Sequence, residues 1–265
     1  MEKLGLIAGS GPLPLISARE AKRETSVVAV ALSGYTSPEL ENLVDKICWV
    51  KLGELERAIK FFLSEGVKRA VMIGKIPQSV LLSRTGFTKE ADSLLARLIS
   101  KQTESVLRAV AKELGERGIE LVDGRKYFST GLAAKGTLTQ RQPTNEELKD
   151  IEFGKILVKE IGRLDIGQAV VVKRGIVLAV EAIEGTDEAI KRGAALGGEG
   201  VIVVKMSKPQ QDMRFDIPVI GKETLQLLKE VKAAVLAIEA ERTVILDKEE
   251  SLKIAEEAGI CVVAL

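Results

Sequence analysis

Short apolar runs alternate with helix-like stretches along the first half of this chain, and that alternation restricts the fold more than any other feature. Leu4–Ala8, Val27–Leu32, Ile47–Val50 and Ala70–Ile73 read as buried strands, each a continuous apolar run too short for a helix. Helical spacing fills Leu13–Arg23, Glu54–Glu65, Ala91–Ser100 and Glu104–Gly115. A βαβ succession predicts a parallel sheet with helices on both faces, and it places ligands at the carboxyl ends of the strands.

The glycine-punctuated stretch from Asp123 to Pro143 keeps no sustained period and marks the domain junction. The expected division is a Rossmann-like N-terminal domain over 1–135 and a mixed α/β C-terminal domain over 136–265 that carries the acidic stretch discussed below. Thr144-Asn145-Glu146-Glu147 has the form of a capping box behind Pro143 and opens a helix to about Gly162. Ala169–Val172 and Ile176–Glu181 flank Lys173-Arg174-Gly175, which predicts a hairpin. A second hairpin is expected between Ala234–Ile238 and Thr243–Leu246. Val201–Val204 and Ile260–Val263 add strands, and Asp187–Leu196, Lys222–Lys232 and Lys248–Ala258 add helices.

Composition narrows the chemistry. The formal net charge of +1 supplies no global basic field, so nucleic acid is not an expected partner. With no histidine in 265 residues, Ser-His-Asp and Cys-His pairs, imidazole bases and imidazole metal sites are excluded. Proton transfer and metal binding fall to Asp, Glu, Lys, Tyr or backbone groups. Cys48 and Cys261 stand far apart in apolar runs, which predicts reduced, buried thiols and a cytoplasmic setting. No apolar run approaches ~18 residues, and the opening Lys3-Leu4-Gly5-Leu6-Ile7-Ala8 lacks the form of a leader, so the chain is expected neither to span nor to cross a membrane.

Gly9-Ser10-Gly11-Pro12-Leu13-Pro14 joins the first strand to a helix, where backbone amides and the helix dipole can receive a phosphate. Pro14 replaces the third glycine of a dinucleotide fingerprint, and the second strand ends at Ser33-Gly34 in place of an acidic residue, so NAD is disfavoured. A tight turn needing glycine explains the loop equally well. Lys75 reaches the same edge, either to neutralise a phosphate or to lie solvated. Pro209 and Pro218 bracket an extended segment in which Asp212, Arg214 and Asp216 face one way and Met213, Phe215 and Ile217 the other. Carboxylates can hold Mg²⁺ or orient water while a guanidinium stabilises phosphoryl charge. In a straight strand the two aspartates would lie ~13 Å apart, so either the segment bends or only one binds metal. The bland reading is a solvated segment in which Arg214 pairs with its neighbours. Thr186 is expected to cap a helix, whereas Glu181 and Glu184 are surface groups, metal ligands or a base. Leu196-Gly197-Gly198-Glu199-Gly200 reads as a helix end.

Several stretches together resemble a known family: Leu4-Gly5-Leu6-Ile7-Ala8-Gly9, Thr139-Gln140-Arg141-Gln142-Pro143-Thr144, Asp150-Ile151-Glu152-Phe153-Gly154, and Ile161-Gly162-Arg163-Leu164-Asp165-Ile166-Gly167-Gln168. Ala179 through Asp187 and Lys208 through Pro218 complete the pattern. The chain resembles the LpxI-type UDP-2,3-diacylglucosamine pyrophosphatases of lipid A synthesis over almost its whole length. That resemblance implies a Mg²⁺-dependent hydrolase, with other divalent ions open to it. It would release UMP and 2,3-diacylglucosamine 1-phosphate by attack at the sugar-side phosphorus, with lipid bound between two domains. The family's essential aspartate falls within 212–216, so Asp212 and Asp216 are both carried over, with Arg214 as charge-stabilising partner and Glu184 as a further metal-ligand candidate. Gly9, Ser10, Gly11, Lys75, Arg141, Thr186, Lys208 and Gln211 are the expected substrate contacts. The lack of histidine separates the chain from the metallophosphoesterase route to the same product. The expected partner is a lipid-linked UDP-sugar, with transient contact at the inner-membrane surface and a homodimer both compatible with the reading. The alternative is a non-catalytic nucleotide-sugar-binding or regulatory module; a dehydrogenase with an atypical loop stands further back.

Overall fold

Strand β1 (Lys3–Ala8) buries both of its faces, as continuous apolar runs do in sheets covered on two sides. A computed structural model describes residues 2–76, 103–214 and 216–265. In it β1 pairs in parallel with β2 (Ser26–Leu32) on one side and β4 (Arg69–Ile73) on the other. Outside these lie β3 (Lys46–Val50) and β5 (Glu120–Leu121), giving the order β3-β2-β1-β4-β5. Helices α1 (Leu13–Ala21), α2 (Leu55–Ser64) and α3 (Thr103–Glu116) fall where the spacing placed them. Phe62 and Ile59 of α2 and Leu114 of α3 join Val28, Val30, Ala70 and Met72 of the sheet in one apolar cluster. The helix expected over 91–100 lies outside the described residues.

The second unit is a mixed sheet ordered β6-β13-β11-β9-β7-β8, from β6 (Gly136–Thr137), β7 (Ala169–Lys173), β8 (Ile176–Val180), β9 (Ile202–Lys205), β11 (Val235–Ile238) and β13 (Cys261–Ala264). Helix α4 (Asn145–Arg163) begins at the capping box, with Thr144 and Glu147 exchanging side-chain and backbone bonds. Its Ile151 and Val158 pack with Val170, Val172 and Val204. The other face is covered by α5 (Thr186–Gly197), α6 (Lys222–Glu230) and α7 (Lys248–Glu257), whose Ile190, Leu225 and Ala255 cluster with Val171, Val203 and Val262.

The first hairpin forms as expected: β7 and β8 are antiparallel, and Arg174 and Gly175 both take positive φ in a two-residue loop. Buried Asp150 of α4 fixes that loop by accepting both its N–H groups, at 2.6 and 2.7 Å. The second hairpin does not form. Both edges of β11 are taken by parallel neighbours β9 and β13, so Val244–Ile245 (β12) pairs with Val219–Ile220 (β10) in a separate two-stranded parallel sheet.

Contacts divide the chain into Met1–Ser129 together with Asp212–Asp216, and Thr130–Gln211 together with Ile217–Leu265. Chain order had assigned the acidic stretch to the C-terminal domain, but its contacts group it with the N-terminal unit. Its neighbours within that unit include Arg108, whose charge favours the ionised Asp212, and Asp123, whose carboxyl the Asp212 charge raises.

Candidate active site

The acidic stretch is a turn and not a strand. The Asp216 N–H donates to the Asp212 carbonyl at 3.1 Å, which closes the chain on itself and removes the alternation of faces. The same closure resolves the separation that an extended segment would impose on the two aspartates. The Asp212 carboxylate accepts the Arg214 N–H at 3.0 Å, and the Arg214 guanidinium at 3.0 Å (Nε to Oδ1) and 2.6 Å (Nη2 to Oδ2). Those guanidinium bonds hold the Asp212 carboxyl below its ordinary value; partial burial opposes them, and the Arg214 N–H and the charge of Arg108 add to them. Phe215 lies outside the described residues.

A second clip of the same form sits where β5 ends. Asp123 accepts the Arg125 N–H at 2.9 Å and its guanidinium at 2.8 and 2.6 Å. Burial alone would raise the Asp123 carboxyl, yet the Arg125 bonds outweigh it and leave it below the usual value, against a push from the Asp212 charge. Two Asp-x-Arg clips thus belong to the N-terminal unit, and Asp123 was not singled out by its sequence because it lay in the presumed junction. On the same carboxyl edge, the loops after β1 and β4 hold each other. Gly9 N–H donates to Ile73, Ser10 N–H and Oγ to the Lys75 carbonyl, and Lys75 N–H to Ser10. A Cβ on Gly9 would lie 2.8 Å from the Lys75 carbonyl oxygen, so the turn needs glycine for close approach. The Gly9 and Ser10 amides expected to cradle phosphate are therefore engaged within the chain, and Gly11 contributes a positive-φ turn.

In the C-terminal unit Thr186 is not a cap. Gly185 holds that position without a side-chain bond, and the Thr186 hydroxyl lies between Glu181 Oε1 at 3.0 Å and Lys205 Nζ at 3.1 Å. Glu181, expected on the surface, is buried, as is Lys205. Glu184 is engaged by Arg192 at 2.6 Å and by the Ala182 N–H at 3.1 Å. Arg141 bonds Glu147 and the Ala234 carbonyl, tying its loop to the start of α4. Lys208 pairs with Asp165, and buried Gln211 accepts the Lys208 N–H at 2.7 Å. Among the described residues no three carboxylates or thiols gather as a metal-binding group. Cys261 is buried, its thiol raised by desolvation, while Cys48 is only half-buried; both are free.

The LpxI N-terminal domain matches residues 3–130 and the LpxI C-terminal domain residues 134–263. The chain belongs to the LpxI family. A relative, the UDP-2,3-diacylglucosamine pyrophosphatase LpxI of Caulobacter vibrioides, is 31% identical over 277 residues, spanning 100% of this chain and 98% of its own. Two solved structures are far more distant. The biotin carboxylase domain of a thermophilic 2-oxoglutarate carboxylase bound to ADP is 16% identical, with TM-score 0.27 over 64% of this chain and 35% of that one. The biotin carboxylase domain dimer of the Hydrogenobacter thermophilus enzyme with MgADP, ADP and bicarbonate is 16% identical, with TM-score 0.29 over 74% and 41%. Neither resemblance bears on the LpxI fold or ligand. No described helix is long and apolar enough to cross a membrane.

Proposed function

We propose that the chain hydrolyses the diphosphate of UDP-2,3-diacylglucosamine, releasing UMP and 2,3-diacylglucosamine 1-phosphate at the cytoplasmic face of the membrane. The observation that carries this reading is the end-to-end match to a pyrophosphatase relative, in a chain whose acidic stretch folds into a carboxylate–guanidinium clip.

The donor set suits Mg²⁺. This ion is commonly held by one or two carboxylates completed by substrate phosphates, and Asp212 with Asp216, joined by the closed turn, would supply the hard oxygen ligands. When bound, it would neutralise diphosphate charge. The chain's own part is to keep Asp212 ionised and oriented, which the three Arg214 contacts do. An ionised Asp212 can then position the attacking water, and Arg214 stabilises charge on the phosphoryl oxygens. The two acyl chains demand an apolar surface, since each buried CH₂ is worth about 0.8 kcal/mol.

The test is Asp212→Asn, assayed for release of UMP from UDP-2,3-diacylglucosamine with Mg²⁺ and for retention of the lipid by mass spectrometry. Turnover is expected to fall on the order of a hundredfold or more while lipid is retained. Turnover at the wild-type rate would sink the catalytic reading and leave a binding module.

A further inference from the structure

The four residues that lead into the acidic turn, Lys208 to Gln211, are held at the end of helix α4. The Lys208 ammonium pairs with the Asp165 carboxylate two residues past that helix, with side-chain exposures of 14% and 11%. The Gly162 carbonyl accepts two bonds, from Gln210 Nε2 at 2.8 Å and from the Asp165 N–H at 2.9 Å. Gln211 closes the stem on itself: its side chain accepts the Lys208 N–H at 2.7 Å, and its own N–H donates to the Lys208 carbonyl at 2.9 Å. A Cβ on Gly162 would lie 3.2 Å from Pro209 Cδ and 3.3 Å from Lys208 Cα, so helix and stem meet closely there. Beyond the turn, the Pro218 carbonyl accepts the Val244 N–H at 2.9 Å. Both stems therefore belong to the C-terminal unit, while Asp212–Asp216 between them group with the N-terminal one.

Two charges this far from water persist because each neutralises the other, and removing one leaves its partner buried and uncompensated. The pair thus fixes the stem where it lies. Asp212 follows Gln211 through one planar peptide, so a displaced stem displaces the start of the turn. Reacting groups tolerate little of this, since a misplacement of ~1 Å can cost about a hundredfold in rate. We propose that Lys208 and Asp165 are positioning residues for the hydrolysis: their ion pair fixes the stem against Gly162 and so sets where Asp212 stands, and Lys208 does not itself contact the substrate. The pattern of the sequence had placed Lys208 among the substrate contacts; its burial against Asp165 argues for the other role. This rests on the function proposed above and adds to it which residues outside the acidic turn hold its carboxylate in place.

The experiment compares Asp165→Asn, Lys208→Met, their double variant and Gly162→Ala, with UDP-2,3-diacylglucosamine as substrate and UMP as inhibitor. Asparagine keeps the size of Asp165 and tolerates its φ of 56°, so only the charge is lost. Each single variant of the pair is expected to lower kcat about tenfold per folded molecule, with KM and inhibition by UMP kept within about twofold. Because both act on one link, the double variant is no worse than the poorer single one. Gly162→Ala favours the helix but presses the stem by a few tenths of an ångström, so kcat is expected to fall about threefold or more with little change in melting temperature. Were Lys208 a phosphate contact, Lys208→Met would raise KM and weaken UMP inhibition about tenfold while Asp165→Asn kept its kcat. That pattern, or multiplicative losses in the double variant, overturns the proposal. Thermal melts give the folded fraction; if the pair variants do not fold, Gly162→Ala decides alone, and a wild-type kcat in it overturns the proposal. An inactive Asp212→Asn beside a wild-type-like Asp165→Asn defeats this inference only, whereas an active Asp212→Asn defeats the function on which it rests.

Discussion

Asp212 and Arg214 are two residues apart, and the turn that joins them makes the arginine serve both as backbone donor and as guanidinium clamp. Because the clamp favours the charged carboxylate, Asp212 stays below its ordinary value of 3.8 and ionised throughout the neutral range. Lysine keeps the charge but cannot reproduce the planar fork, so Arg214→Lys is expected to let the Asp212 carboxyl drift back up towards 3.8. Carboxyl-carbon NMR titration reads this directly, and an unchanged midpoint would mean that the guanidinium contacts do not set the carboxylate's state. The pair itself was visible in the sequence, since carboxylate and guanidinium at this spacing stand out between two prolines. The long-range partners were not. Glu181 read as one surface glutamate among many, and only the fold brings Lys205, nineteen positions beyond Thr186, to that hydroxyl. Asp123 was hidden for the same reason, since about a third of the chain's length separates it from the acidic stretch whose charge acts on it.

At the scale of elements, glycines separate positions that packing dictates from positions that it leaves open. A Cβ on Gly193 of α5 would lie 2.6 Å from Val171 of β7, so the helix approaches the sheet at a distance that only glycine permits. Gly115, exposed near the end of α3, has nothing within 4 Å of the same atom. Alanine is the better helix former at both sites by about 1 kcal/mol. Gly115→Ala is therefore expected to raise stability by about 0.5–1 kcal/mol, and Gly193→Ala to lower it by about 1–3 kcal/mol as overpacking wins. Urea melts of the two variants decide, and equal effects would deny the close approach. The parallel strands, α4 with its capping box and the β7–β8 hairpin were legible because each is specified by neighbours in sequence. The failed second hairpin was not. Its two runs are close along the chain, but pairing is settled by which edges remain open, and β9 and β13 had filled both edges of β11.

For the whole molecule, the same carboxylate chemistry sets how stability responds to pH. Asp45, Asp123 and Asp212 in one unit and Glu147 in the other are all held below their ordinary values. The Val27 N–H does this first for Asp45, Arg214 for Asp212, and for Asp123 and Glu147 hydrogen-bond partners outweigh a burial that would raise them. Family membership was readable from one end of the chain to the other, yet these charge partners emerge only as each unit folds. A carboxyl depressed in the fold binds its proton less readily than in the unfolded chain. Its contribution is thus present above the unfolded values of 3.8 for aspartate and 4.5 for glutamate, and it is lost as pH falls through the folded ones. No histidine titrates between, so the urea midpoint is expected to be flat from about pH 5.5 to 8 and to drop progressively below about 4.5. Replacing Asp45 by Asn removes one such group without touching the acidic stretch: it should lower the midpoint at pH 7 and make the fall on acidification shallower. A midpoint equally steep in pH with and without the Asp45 carboxylate would show that this side chain is no part of the acid sensitivity.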